Sequence, residues 1–306
     1  MWDFQTELSR KVKEIEEIIG KFLPAETGYQ EIVIKAMNYS ILAGGKRLRP
    51  MLMQETYRLF GGVGKEIEPF MAAIEMIHTY SLVHDDLPAM DNDEYRRGRK
   101  TTHVVFGEAF GILAGDGLLN YAFETALKAF PIEQEAAGDI NVEKMHRIAK
   151  ALQVLAVKAG IYGMIGGQTA DIQAEEMENI DTERLLYIHE NKTAALIQSS
   201  MMIGAILAGA DESEVERIEK CAYNIGIAFQ IQDDILDVIG TMEELGKPIG
   251  SDEKNNKQTY VTLNGLETSK KHVKKLSEDA ISIIDSIQGN NVFLKELVNS
   301  LINRSK

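Results

Sequence analysis

The sequence predicts an all-α fold, and three observations carry that prediction. Apolar residues recur at the spacing of an amphipathic helix along most of the 306 residues. Only six prolines occur, so long uninterrupted helices are permitted almost everywhere. The chain shows no convincing run of alternating β-branched residues of the kind that forms strands.

The individual helices follow from this spacing and from the residues that interrupt it. They are predicted over residues 5–19, 28–43, 50–60, 66–84, 106–130, 141–166, 182–208, 212–239, 265–287 and 291–303. A glycine-rich breaker at 61–64 separates the third helix from the fourth, and Asp181 and Asp211 are suited to cap the N-termini of the helices that follow them. Short connections without a Ser/Pro-rich linker predict one domain over residues 1–306.

Charge and cysteine content exclude several function classes. The net charge of -14 argues against binding of nucleic acid or an anionic membrane through the overall field. Cys221 is the only cysteine, which excludes an intrachain disulfide, and its apolar neighbours predict a buried thiol. The N-terminus lacks the apolar core of a signal peptide, and no run approaches the length of a membrane span, about 20 apolar residues. We therefore expect a cytoplasmic protein without a membrane span.

Three segments fail as helices because they combine glycine, proline and dense charge. They are 44–50, 87–103 and 240–260. Loops on a rigid helical scaffold are where binding groups usually lie, so these segments are the first place to look for a site.

The first acidic cluster comprises Asp85, Asp86 and Asp91 at the end of an apolar helix. Pro88 disfavours the α conformation at Leu87, so the helix should end or bend there. On a straight helix the two outer aspartates would lie about 120° apart, whereas an unwound end can bring their carboxylates together.

The second acidic cluster is Gln230, Asp233, Asp234 and Asp237. These positions share one helical face, and the surrounding residues are apolar rather than basic. Carboxylates this close repel by about 1 kcal/mol at 4 Å in water and more where water is excluded, and a divalent cation removes that repulsion. Oxygen ligands without cysteine favour Mg²⁺.

Basic groups lie near the first acidic cluster in places suited to a diphosphate. Lys46, Arg47 and Arg49 follow a glycine pair, where guanidinium forks can grip phosphate oxygens. A second basic run, 96–100, comes directly after the first acidic cluster. Neither GxGxxG nor GxxxxGK[ST] occurs, so the nucleotide-binding fingerprints are absent.

These motifs together resemble the trans-isoprenyl diphosphate synthases, the polyprenyl synthetase family, over nearly the whole chain. The matching segments, in chain order, are GGKRLRP, IHTYSLVHDDLPAMDNDEYRRG, GGQTAD, NKTAAL, FQIQDDILD and GKPIGSDEKNNKQTY. The resemblance implies a large helical bundle around a deep central cavity. It further implies a homodimer that condenses isopentenyl diphosphate with allylic diphosphates such as dimethylallyl and geranyl diphosphate.

The same resemblance assigns roles residue by residue. It implies Mg²⁺ ligation, with three ions per active site, by Asp85, Asp91 and Asp233, supported by Asp86, Asp234 and Asp237. Residues matching the isopentenyl diphosphate site are Lys46, Arg49, His78 and Arg97, and those matching the allylic diphosphate site are Arg96, Lys192 and Lys247. Thr193 and Gln230 would face the developing cation, and Lys257 would line the phosphate region. No role is assigned to Arg304.

Product length in this family depends on the residues one turn before the first acidic cluster, here Tyr80 and Ser81. An aromatic ring there should block elongation early, which resembles the short-chain bacterial members that make farnesyl diphosphate. The alternative function within the family is geranylgeranyl diphosphate synthesis, and Tyr80 as a plain core aromatic stays open.

Other classes remain to be weighed against this reading. Two Glu-x-x-His pairs, Glu75 with His78 and Glu143 with His146, have the spacing of di-iron bundles. A class I terpene cyclase shares the first acidic motif but usually replaces the second. A non-catalytic regulatory subunit of a prenyltransferase commonly loses one motif, whereas both are intact here.

Overall fold

The computed structural model describes residues 2–130, 141–239 and 258–302. Their helices, in chain order, are α1 (Phe4–Gly20), α2 (Glu31–Ile41), α3 (Leu48–Leu59), α4 (Ile67–Asp85), α5 (Thr102–Phe106), α6 (Glu108–Leu127), α7 (Val142–Ala159), α8 (Met164–Glu175), α9 (Thr182–Ile188), a π-helix (His189–Ala194), α10 (Ala195–Ala208), α11 (Glu212–Ile239), α12 (Tyr260–Asn264), α13 (Leu266–Asp285) and α14 (Val292–Ile302). The strands β1 (Tyr95–Arg96) and β2 (Arg99–Lys100) form one short antiparallel hairpin. The predicted all-α class is confirmed.

Several helix ends confirm the sequence signals for them. Asp181 accepts a hydrogen bond from the Arg184 N–H at 2.8 Å. Asp211 accepts one from the Glu214 N–H at 2.9 Å, and the Glu214 side chain accepts the Asp211 N–H in return, which completes a capping box. Each cap satisfies donors that the first helical turn leaves without an intrahelical partner.

The described chain divides into two compact units. The first comprises Met1–Gln54 and Val63–Leu152, and the second comprises Glu55–Gly62 and Gln153–Lys306. The prediction of one domain over residues 1–306 stays a prediction.

In the first unit, α4 packs against α6, α2 packs on both of them, and α1 packs on α4. Helix α4 is apolar on nearly all sides, and Phe70, Met71 and Ile74 within it are fully buried. A helix apolar all round belongs in a core rather than on a surface. It therefore gives the acidic residues at its C-terminal end a rigid base.

In the second unit, α11 packs against α10 and α13. Its Cys221 is fully buried, with the thiol 3.4 Å from the Ala280 carbonyl, and burial raises its pKa to about 12. The prediction of a buried thiol is confirmed.

One stretch of the described residues, Val142–Glu175, meets the length and hydropathy of a membrane span. It is not continuous, because α7 ends at Ala159 and α8 begins at Met164. Helix α7 alone carries five Lys, Arg or Glu side chains, and α8 has only 12 residues, short of the roughly 20 that a span needs. The residues that the structure describes therefore include no clear membrane span.

Candidate active site

The first acidic cluster lies on a folded-back turn at the end of α4. The helix ends at Asp85, as Pro88 predicts. The chain then reverses, so that the Asp91 N–H donates to the Asp85 carbonyl at 2.8 Å and the Asn92 N–H donates to the Leu87 carbonyl at 3.1 Å. Asn92 adopts a left-handed φ of 55°, which asparagine tolerates better than most residues. The turn places the backbone of Asp91 against that of Asp85, the approach that a shared cation needs.

Asp86 has a different environment from the aspartates on either side of the turn. It is buried and accepts a hydrogen bond from the Arg96 guanidinium at 2.6 Å. Burial raises the pKa of Asp86, and the Arg96 charge opposes that shift. Asp86 therefore fixes the position of Arg96.

The hairpin that carries Arg96 and Arg97 turns through a pair of left-handed residues. Arg97 has φ 52° and Gly98 φ 74°, the signs that a tight hairpin turn requires. The Arg99 guanidinium lies 4.4 Å from the centroid of the Tyr39 ring, and the Tyr39 hydroxyl donates to the Lys100 carbonyl at 2.8 Å. These contacts hold the hairpin on the C-terminal end of α2. Sequence analysis missed them, although the glycine of RRGRK was a turn signal.

The segment 44–50 is predicted as a loop, but its last three residues begin α3, and its cations lie in two environments. Arg47 has φ 48° and is buried; its guanidinium donates to Glu75 at 2.8 Å and to the Ile41 carbonyl at 2.8 Å. It is committed to the protein interior, so the hypothesis that all three cations of this loop grip phosphate is wrong for Arg47. Lys46 is exposed, and Arg49 is half-buried.

Arg49 and Arg97 face the His78 ring and together form a cationic part of the first unit. Burial lowers the pKa of Arg49 to about 10, with the Arg97 charge acting in the same direction and Glu75 against it. Burial also holds the pKa of His78 well below its usual range, reinforced by the charges of Arg49 and Arg97. The Arg97 guanidinium donates to the Gly44 carbonyl and lies where a side chain at Gly45 would stand. Such a concentration of positive charge favours an anion.

Tyr80 is buried, and its ring meets the His84 ring edge-on at 5.9 Å. Burial raises the pKa of Tyr80 to about 12, helped by the Asp85 charge. His84 Nε2 lies 3.0 Å from the Ile112 carbonyl on α6. Ser81 donates to the His78 carbonyl of its own helix at 2.9 Å.

In the second unit, α11 continues unbroken to Ile239 and so carries the second acidic cluster on one face, as predicted. Asp234 is buried and accepts a hydrogen bond from the Tyr260 N–H at 2.7 Å. Asp233 and Asp237 are half-buried. Tyr260, at the start of α12, ends the GKPIGSDEKNNKQTY segment, but the sequence analysis assigned no role to its backbone N–H.

The π-helix between α9 and α10 presents two predicted site residues. Lys192 Nζ lies 2.5 Å from the Asp171 carboxylate, and the Thr193 hydroxyl donates to Gln230 at 3.0 Å. These residues line a cavity of about 190 Å³ within the second unit. The other residues of its lining are Leu185, Ile188, His189, Asp234, Gln258 and Thr259. Asp171 belongs to the GGQTAD segment, but no spacing or motif pairs it with Lys192.

Two predicted site residues, Lys247 and Lys257, lie outside the described residues, as does Arg304. Among the residues that are described, no group of three or more His, Cys, Asp or Glu side chains is arranged to hold a metal ion. The pairing of Glu75 with Arg47 and of Glu143 with Arg147 argues against the di-iron hypothesis. The Mg²⁺ ligands stay a prediction.

Comparison with known proteins decides the family. The polyprenyl synthetase model matches residues 30–297. The chain belongs to the polyprenyl synthetase family. This polyprenyl synthetase is 43% identical over 263 residues to the farnesyl diphosphate synthase of Geobacillus stearothermophilus, covering 86% of the chain and 85% of the relative. It is 40% identical over 303 residues to the geranylgeranyl diphosphate synthase of Cyanophora paradoxa, covering 98% of the chain and 96% of the relative.

A solved structure extends the likeness to three dimensions. The Helicobacter pylori geranyltransferase, crystallised with magnesium and isoprenyl diphosphate, has a TM-score of 0.77 to the chain at 30% sequence identity. The alignment covers 99% of this chain and 97% of that one. The polyprenyl synthetase is an all-α prenyltransferase, as its motifs indicated.

Proposed function

We propose that the chain condenses isopentenyl diphosphate head to tail with dimethylallyl and geranyl diphosphate, in an Mg²⁺-dependent reaction that yields farnesyl diphosphate. The observation that carries this proposal is that one helix of the first unit, α4, has carboxylates at its end and arginines from other elements facing it. Asp85 ends α4 on a turn that carboxylates can share with a cation, and the charges of Arg49 and Arg97 face His78, two turns earlier on the same helix. A metal-bound diphosphate needs both.

The donor set fits Mg²⁺. Asp85, Asp91 and Asp233 offer only oxygen, and Asp86 and Asp234 are held by protein groups and so take the supporting part. The Helicobacter pylori geranyltransferase, complexed with magnesium, supports the same ion here. The proposed number is three ions per active site. When bound, Mg²⁺ would neutralise the charge that develops on the departing diphosphate.

The chain's own residues hold the two diphosphates in this proposal. Isopentenyl diphosphate is held by Lys46, Arg49, His78 and Arg97. The allylic diphosphate is held by Arg96, Lys192 and Lys247, with Lys257 alongside. Arg96 is fixed by Asp86, so its donors are placed before the substrate arrives, which lowers the entropy lost on binding. Lys192 is held in the same way by Asp171.

Thr193 and Gln230 face the positive charge that develops when the allylic C–O bond breaks. Because the Thr193 hydroxyl donates its proton to Gln230, the lone pairs of its oxygen remain for the cation. Dipoles fixed before the reaction stabilise a developing charge without reorganising. The double bond of isopentenyl diphosphate then attacks the allylic carbon, and a proton leaves to the released pyrophosphate. No side-chain nucleophile is required.

The product length follows from Tyr80, whose buried ring lies one turn before Asp85. The test is to incubate the purified protein with isopentenyl diphosphate, geranyl diphosphate and Mg²⁺ and to resolve the products by chain length. We expect a fifteen-carbon product, and a shift to longer chains in Tyr80→Ala. The matched control is Tyr57→Ala, which removes another buried tyrosine; it should lower stability without lengthening the product.

Other outcomes discriminate among the alternatives. A main product of twenty carbons from the unmodified enzyme would keep the mechanism, remove the role of Tyr80 and match the geranylgeranyl diphosphate synthase of Cyanophora paradoxa. No condensation with any allylic primer would favour a regulatory subunit. We further propose that the protein is cytoplasmic and forms a homodimer. Sedimentation equilibrium would test the homodimer by comparing the mass of the particle with that of the 34.1 kDa chain.

A further inference from the structure

Two glycines on different helices bring their backbones unusually close to the π-helix. A Cβ placed on Gly167 of α8 would lie 2.1 Å from the Lys192 nitrogen and 2.5 Å from the Asn191 carbonyl carbon. A Cβ on Gly226 of α11 would lie 2.3 Å from the Ala194 Cβ and 2.7 Å from its Cα. Neither position admits any larger residue without movement of the helices, because the atoms met are backbone or directly attached to it.

Each glycine is followed, four residues later on its own helix, by the polar partner of a π-helix side chain. Asp171 follows Gly167 and pairs with Lys192 at 2.5 Å. Gln230 follows Gly226 and accepts from Thr193 at 3.0 Å. Residues four apart share a helical face, so each glycine and its polar partner face the π-helix together. The π-helix thus meets the same arrangement on α8 and on α11, a close-packed glycine followed by a polar side chain that binds it.

The geometry of the π-helix explains why close packing from both α8 and α11 is needed to hold it. Its wider turn is rare and is sustained only where the surroundings hold it. Helix axes normally pack about 8–10 Å apart, with side chains setting that separation. A glycine has no side chain to keep two helices apart. The backbone of the neighbouring helix can therefore contact the π-helix backbone directly.

We propose that Gly167 and Gly226 are positioning residues for the prenyl transfer, which set where Lys192 and Thr193 stand in the cavity of the second unit. This inference rests on the proposed function, because it acts through the two residues to which that function assigns diphosphate binding and cation stabilisation. An alanine at either glycine would need a displacement of about 1 Å or more to restore ordinary contacts of about 3.5–4 Å. Misplacement by about 1 Å can reduce a rate on the order of 100-fold.

The test is a double-mutant cycle between Gly226→Ala and Thr193→Ala, with kcat and the KM of isopentenyl diphosphate measured for each variant. We expect Gly226→Ala to lower kcat about 10- to 100-fold in the unmodified enzyme but less than about 3-fold in the Thr193→Ala background. The KM of isopentenyl diphosphate should stay within about 2-fold, because its proposed ligands are elsewhere in the chain. A parallel cycle pairs Gly167→Ala with Lys192→Ala. Gly20→Ala is the matched control, since a Cβ on this helical glycine meets no atom within 4 Å.

Circular dichroism and the melting temperature establish that each variant is folded. If Gly226→Ala does not fold, the pair Gly226→Ala with Ala194→Gly removes the nearest clashing atom, and it should fold with partly restored kcat. Failure of this pair to fold would overturn the proposal in favour of a packing role. Equal loss of kcat in both backgrounds, or a matching rise in KM, would overturn it too. These results are distinct from failure of the proposed function, which would appear as an inactive unmodified enzyme or as Thr193→Ala without effect.

Discussion

The two aspartate pairs, Asp85–Asp86 and Asp233–Asp234, look alike in sequence but are built differently. In the first unit the helix ends at the pair, and a reversed turn brings Asp91 back to it. In the second unit the pair stays on an intact helix. In both, the second aspartate is buried and held by a protein donor, a guanidinium for Asp86 and a backbone N–H for Asp234. The comparison teaches that the second residue of each pair serves the fold through a protein donor of its own.

The largest expected effect comes from the first member of the first pair. Asp85→Ala should lower kcat about 1,000-fold or more, since it removes a charge from the group that would stabilise the departing diphosphate. The rate is measured with geranyl diphosphate at saturating Mg²⁺. Glu94→Ala, an exposed carboxylate of the following loop, is the control and should remain within about 2-fold. A small effect at Asp85 would break the division of roles between the two aspartates.

The neighbouring arginines of the 44–50 loop give the next contrast. Arg47→Met should destabilise the fold by about 3–5 kcal/mol, because it leaves Glu75 charged and buried. Arg49→Met should instead raise the KM of isopentenyl diphosphate about 10- to 100-fold with little loss of stability. Urea unfolding and steady-state kinetics separate the two. Equal loss of stability in both variants would contradict the assignment of Arg47 to the protein interior and of Arg49 to the ligand.

Substitution of the second aspartate of each pair, Asp86 or Asp234, should have smaller effects on the kinetics. Asp86→Asn weakens a charged contact with Arg96, and we expect the KM of the allylic diphosphate to rise about 10-fold. Asp234→Asn keeps an oxygen that can accept the Tyr260 N–H, so we expect less than about 3-fold change. Kinetics on both variants side by side test this, and the reverse order would show that Asp234 contacts the ligand itself.

The smallest expected effect is the absence of a pH response at His78. Burial and the nearby arginines lower its pKa well below the usual range, so the ring should not change charge where an ordinary histidine does. The KM of isopentenyl diphosphate should therefore show no step near pH 6.5. The measurement is KM from pH 6 to 8. A step that His78→Asn removes would mean that the bound diphosphate restores the charged form.

The sequence predicted the long helices and the positions of charge because both depend on local spacing. Pro88 was enough to predict where α4 ends. The sequence did not predict the β1–β2 hairpin. Each strand has only two residues, and β2 is held by contacts with Tyr39, which is far away in the chain. Nor did it predict that α8 extends to Glu175, since a helix with Gly166 and Gly167 inside it has a weak pattern.

The site shows the same limit. Residue types and order indicated Arg49, Asp85 and Lys192, but not which cations are committed to the fold. Arg47 and Arg49 are equivalent in sequence, and only the left-handed backbone at Arg47 turns its side chain towards Glu75. The π-helix was equally invisible, because its wider turn depends on close approach by two other helices rather than on its own residues.

The pair of Arg47 and Glu75 also bears on how the enzyme responds to heat. Withdrawing two charges from water opposes folding, but that opposition weakens as temperature rises because the hydration of ions becomes less favourable. Burial of the surrounding hydrocarbon gains little over the same range. The loop that presents Arg49 is therefore anchored by a contact whose relative contribution grows on warming. An apolar pair of equal volume in its place would suit an enzyme kept cold and serve a heat-adapted one less well.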